Sequence, residues 1–197
     1  MEREYKWRAD EALLGGALLW ASGRLGSASR TIHMRSQYFD SADGLLQQNE
    51  AALRLRLENS RGVCCMKLRN VSTPEGMRTH EEYECEAATI EEGLARLPEA
   101  GAPKDLCAKA ASAELAVQCT VDFMRVAVLI QQNDTVCELA LDQGELQHEG
   151  RTAPLCEIEL EHIVGSEEPF HALAAELAEH LSLVPEPESK LARAMKL

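Results

Sequence analysis

Aromatic residues are scarce, 4% of the 197 in the chain. No apolar run approaches the ~20 residues that cross a bilayer as a helix. The seven cysteines include no CxxC pair and follow no regular spacing. That excludes a disulfide framework or a zinc ribbon and fits reduced thiols. Six histidines show no HExxH or comparable metal spacing, and read as surface or structurally satisfied groups. Basic residues are outnumbered, 20 against 33 acidic, for a net charge of −13. A broad electrostatic face for nucleic acid is therefore excluded. A small anion would need a local basic cavity, a bridging metal, or both. The opening MEREYKWRADE is charged from the start and lacks a signal-peptide pattern. We expect a soluble cytoplasmic protein with no nucleic-acid or membrane partner and an oligomeric state that the sequence leaves open.

What is present is an ordinary globular balance, 45% apolar and 27% charged, at a length that suits one domain over 1–197. Residues 2–8 alternate as a strand, and DEALLGGALLWAS follows as a helix weakened by Gly15 and Gly16. TIHMRSQYFDS reads as a strand ending in a turn, and AALRLRLEN with VCCMKLRN reads as a hairpin. STPEGMRT reads as a loop and HEEYECEA as another strand. Thr89 and Glu92 mark a capping box for a helix over 89–97, and 104–115 reads as a second helical piece. Two long strands flank QQND, a further strand runs through APLCEIELEHI, and SEEPFHALAAELAEHLSL is the clearest amphipathic helix. Short connections among so many strands predict an antiparallel α+β protein.

The strands group their charges by sign. Side chains two apart share a face, so Glu2, Glu4 and Lys6 point one way. Arg54 and Arg56 form a pair of like sign, as do Lys67 and Arg69, Glu82 and Glu84, and Glu157 and Glu159. Like charges about 7 Å apart repel by about 2 kcal/mol at an effective dielectric near 20, and by about 0.6 kcal/mol in water. On a solvated face the pairs mean little. Facing inward, they demand counterions of the opposite sign. Leu53, Leu55, Leu57, Ile158 and Leu160 on the opposite faces need covering. Helices outside a closed sheet would cover them and turn the charges into a polar tunnel. A half-open sheet with its charges in solvent satisfies the same periodicity.

The opening Glu-x-Glu-x-Lys resembles the signature of the CYTH superfamily, the triphosphate tunnel metalloenzymes. YFDSADGLL, AALRLRLE, MKLR, EEYECEA, DFMRVAV, CELALDQGEL, PLCEIELE and SKLARAM continue the likeness in order. The resemblance implies an eight-stranded antiparallel β-barrel, a tunnel with a charged interior and helices packed outside. It implies that Lys6, Arg54, Arg56, Lys67, Arg125 and Lys190 hold a phosphate chain. Glu2, Glu4, Asp142, Glu157 and Glu159 would hold a divalent metal, with Glu82, Glu84 and Glu138 as second-metal or water-positioning groups. Oxygen ligands suit Mg²⁺ or Mn²⁺. The implied activity is metal-dependent hydrolysis of inorganic triphosphate to pyrophosphate and phosphate, with Glu4 and Lys6 in the catalytic role. Thiamine triphosphatase and class IV adenylate cyclase activities are the alternatives within the family. A non-catalytic polyphosphate or nucleotide binder is the alternative outside enzymes. Two positions depart from the pattern. His80 stands where relatives often carry a basic residue, and Ala194 where many carry glycine.

Overall fold

The computed structural model describes residues 1–24, 29–74 and 76–197. In chain order the elements are β1 (Glu2–Arg8), α1 (Glu11–Ser22), β2 (Ser29–Ser41), α2 (Leu45–Gln48) and β3 (Ala51–Glu58). There follow β4 (Arg61–Ser72), β5 (Met77–Glu86), α3 (Ile90–Arg96), α4 (Lys104–Ser112) and β6 (Leu115–Gln132). The chain closes with β7 (Thr135–His148), β8 (Arg151–Val164), α5 (Glu167–Leu181), β9 (Val184–Pro185) and α6 (Lys190–Ala194).

Eight strands pair antiparallel in the order β5-β4-β3-β2-β6-β7-β8-β1, and β1 returns to β5 to close a barrel. The closure uses β1 twice. Residues Glu2 to Tyr5 pair with His80 to Met77, while Glu4 to Arg8 pair with Glu161 to Glu157. The two-residue β9 continues along β1 beyond β5. Helices pack on the outside. α1 and α5 cover Trp7, Leu139, Ile158 and Leu160, and α3 with α4 covers Leu53, Cys64, Met66 and Leu68. With those faces covered, the opposite faces line the interior.

Local chemistry explains the elements. Thr89 accepts a hydrogen bond from the Glu92 amide at 3.2 Å, and the Glu92 carboxylate takes the Ala88 amide at 2.8 Å, which caps α3 as expected. α1 forms despite its two glycines because α5 packs against it. A Cβ at Gly16 would stand 3.0 Å from a Leu181 methyl, so the small residue admits the second helix. Phe170, Leu173, Ala174 and Leu177 form the buried stripe of α5.

Four expectations need correction. The loop expected over 72–79 narrows, since β4 runs to Ser72 and β5 begins at Met77; Glu75 lies outside the described residues. Pairing with the end of β1 extends β5 backwards and turns Arg78 into a barrel residue. Arg69 does not share the face of Lys67. The β4–β5 register shifts between Leu68 and Val71, and Arg69 adopts φ 53°, a bulge that turns it outward to Glu81 with its side chain 77% exposed. Leu57, expected under a helix, is 42% exposed, because the outer helices do not reach that end of β3. The helical piece expected to reach Leu115 stops at Ser112, where pairing with β2 recruits Leu115 into β6.

Candidate active site

The barrel encloses a cavity of about 1350 Å³ lined from most of its strands and from α6. β1 contributes Glu2, Glu4 and Lys6; β3 contributes Arg54 and Arg56; β4 contributes Lys67. β5 adds Arg78, His80, Glu82 and Glu84, while β6 to β8 add Arg125, Glu138, Glu159 and Glu161. Lys190 enters from α6. Asp142 and Glu157 do not line the open cavity. They lie beneath it, fully buried, covered by Lys190 and Arg193. The lining is not uniformly charged, because Ile32, Met34, Tyr38 and Phe123 form an apolar wall on which Leu191 and Ala194 of α6 settle.

At the α6 end, Asp142, Glu157 and Glu159 bring oxygens within 4.8 Å of one another. Arg125 grips both Asp142 oxygens at 2.7 Å and reaches Glu159 at 2.6 Å. The Lys190 ammonium lies 2.9 Å from both Asp142 and Glu159 and also contacts Glu157. Arg193 completes the group at 2.7 Å from Glu157. Buried carboxylates persist only when paired in this way. Burial works upward on both glutamates. It prevails at Glu157, whereas Lys190, Arg125 and Lys6 hold Glu159 well below the usual carboxylate range. Lys6 is 1% exposed and donates to the Glu188 carbonyl. Burial, with the Arg78 and Lys190 charges, draws its ammonium below the ordinary lysine range.

On β1 and β5, Glu2, His80 and Glu82 form a second cluster, with Lys67 of β4 2.5 Å from Glu82. Cys65 donates to Glu82 at 2.9 Å, and Arg54 lies 3.4 Å from Glu82 and 3.3 Å from Glu84. Arg56 is 3.5 Å from Glu84 and also contacts Glu58. The buried Nε–H groups of Arg54, Arg56 and Arg78 have no hydrogen-bond partner among the described residues. Each is a donor short of an acceptor, a standing cost that an anion's oxygens can relieve. Glu4 is 3.8 Å from Arg78, and Glu138 is 2.6 Å from Arg30. Glu161 has no ion partner among the described residues. Burial first, then Glu2, Glu4, Glu138 and Glu82, pushes its carboxyl up to about 8.

The sequence matches the CYTH domain family over residues 1–195. The chain belongs to the CYTH family. Solved structures with the same fold include a Hippeastrum protein described as an adenylyl cyclase candidate with a dominant triphosphatase activity. It shares 18% identity at TM-score 0.65, over 100% of this chain and 96% of that one. A Bacillus halodurans protein described as an adenylate cyclase candidate shares 19% identity at TM-score 0.58, over 98% of each chain. A Pyrococcus horikoshii protein shares 18% identity at TM-score 0.58, over 97% and 98%.

This CYTH barrel brings every residue that the resemblance assigned to phosphate or metal to the lumen or directly beneath it, whereas Arg69 turns outward. Reading by sequence missed Arg78, masked by the Pro-Glu-Gly stretch before it. It also passed over Arg193, three residues after Lys190 and therefore one turn along the same helix face. His80, a departure from the family pattern, and Cys65, an alternating residue of β4, both contact Glu82. Their alternation with Glu82 and Lys67 was the available signal.

Proposed function

We propose that this CYTH chain is a divalent-metal-dependent hydrolase of inorganic triphosphate, giving pyrophosphate and phosphate. One observation carries the reading: guanidinium donors without acceptors line an enclosed cavity that also holds clustered carboxylates. Phosphate oxygens answer the first and a divalent cation answers the second. The donor sets fit such a cation, because in each cluster a lysine ammonium already stands among converging oxygens. The description of the Hippeastrum relative as a triphosphatase agrees with this reading.

We assign Lys6, Arg54, Arg56, Lys67, Arg125 and Lys190 to the phosphate chain and add Arg78. Arginine suits this work because its planar fork meets two phosphate oxygens at once. Glu2, Glu4, Asp142, Glu157 and Glu159 would hold Mg²⁺ or Mn²⁺, with Glu82, Glu84 and Glu138 as second-site or water-positioning groups. A divalent ion bound there neutralises phosphate charge and lowers the pKa of water. Water oxygen bonds to a terminal phosphorus while the bridging P–O bond breaks, its electron pair leaving with pyrophosphate. Glu4 takes the water proton; Lys6, biased by burial toward its neutral form, is the other acceptor at hand. Arginines placed before the reaction begins stabilise charge on the transferred phosphoryl without reorganising.

Phosphate release is measured with tripolyphosphate, thiamine triphosphate and ATP, each with Mg²⁺, Mn²⁺ or chelator. Release is expected fastest from tripolyphosphate and absent with chelator. Glu4→Gln should lower turnover by about 10²-fold or more while melting unchanged. Tight tripolyphosphate binding with no turnover at any metal would mean a binder and not an enzyme. The apolar wall of Ile32, Met34, Tyr38 and Phe123 favours a second reading, in which an organic triphosphate rests its base or ring there. Faster release from thiamine triphosphate, or cyclic product from ATP, would select it.

A further inference from the structure

Glu2, His80, Glu82 and Lys67 meet because of register. Glu2 lies opposite His80 across β1–β5, Lys67 lies opposite Glu82 across β4–β5, and all four line the cavity. His80 Nε2 is 3.2 Å from a Glu2 oxygen and 3.1 Å from a Glu82 oxygen. The Lys67 ammonium is 3.0 Å from the same nitrogen, 2.5 Å from Glu82 and 3.8 Å from Glu2. His80 is 3% exposed, and its Nδ1 is buried without a partner among the described residues.

One ring nitrogen cannot serve all these neighbours. Protonated, Nε2 donates to a carboxylate but points a hydrogen toward an ammonium. Unprotonated, it accepts from Lys67 but aims a lone pair at two carboxylates. The arrangement is relieved by a cation at the point where the three lone pairs converge, and the Lys67 ammonium plays that part in the free protein. We propose that Glu2, His80 and Glu82 form a cation site that takes Mn²⁺ in preference to Mg²⁺, and that the incoming ion displaces Lys67. An imidazole nitrogen favours first-row transition ions, whereas Mg²⁺ seeks oxygen and gives up its water reluctantly. The Asp142–Glu157–Glu159 cluster offers oxygen alone and carries no such preference. Displaced, Lys67 turns its charge to the lumen, so loading the ion also readies a phosphate contact. This last consequence rests on the proposed triphosphatase reading; the site itself does not.

The test uses the whole protein with Mn²⁺ and no triphosphate, so its outcome is independent of turnover. Pulsed electron paramagnetic resonance should detect ¹⁴N hyperfine coupling to bound Mn²⁺ in the wild type, retained under excess Mg²⁺. His80→Gln should lose that coupling, and Lys67→Met should tighten Mn²⁺ binding by removing the competing ammonium. Mn²⁺ bound with no nitrogen coupling in the wild type overturns the site and leaves His80 as an imidazolium held between two carboxylates. Coupling that survives in His80→Gln overturns it equally. Unchanged affinity in Lys67→Met overturns the displacement.

Discussion

Two carboxylate clusters share one barrel, each with a lysine ammonium at its centre, but they differ in water. Around Lys190 that lysine, Arg125 and Glu159 reach the lumen, while Asp142 and Glu157 lie wholly buried, and the three carboxylates are matched by Lys190, Arg125 and Arg193 together. Around Lys67 the group lines the open lumen, and that side chain remains 30% exposed. The difference teaches that one device, a lysine among carboxylates, can matter much or little to the stability of the fold. Burial decides which, because desolvation multiplies the cost of an unmatched charge.

The comparison breaks most decisively at Lys190. Lys190→Met leaves three carboxylates, two of them wholly buried, to share two guanidinium groups and should cost about 3–5 kcal/mol, read as a lower urea midpoint. A loss near zero would mean that water reaches that cluster freely. Lys67→Met should cost only about 1 kcal/mol by the same measurement, since Glu82 keeps His80 and Arg54 as partners. Equal losses at the two lysines would erase the distinction.

The covered outer and inner faces of the strands supply smaller tests. Burial pushes the Cys64 and Cys119 thiols up to about 12. The unfolded thiols ionise near ~8.5 while the folded ones keep their protons, so these residues make stability fall as pH rises from there toward about 12. Melting curves across that range should show the decline, and Cys119→Ala should flatten part of it. The smallest effect belongs to α1. Gly15 is exposed with open space at its Cβ, so Gly15→Ala should stabilise by about 0.5–1 kcal/mol. Gly93→Ala should do the reverse, because a Cβ there would meet the Cys64 sulfur at 2.3 Å.

Much of the site was legible because a strand repeats every two residues. Glu2, Glu4 and Lys6 must share a face wherever β1 goes, and so must Arg54 with Arg56 and Glu157 with Glu159. Where the period is broken, the reading fails. The bulge at Arg69 reverses its side, and the pairing of Met77 to His80 with β1 makes a strand of residues whose local chemistry speaks for a turn. Arg78 was lost for that reason.

From sequence alone came the alternation, the like-charge pairs, the capped and amphipathic helices, and thus the elements and the faces their side chains share. These are local matters, set by backbone geometry within a few residues. Which face is inside was decided only when β1 joined β5 and closed the ring. The meeting of Lys67 with His80, or Lys190 with Asp142, was decided by register and by the docking of α6. Such distances depend on residues far apart in the chain, and no local period carries them.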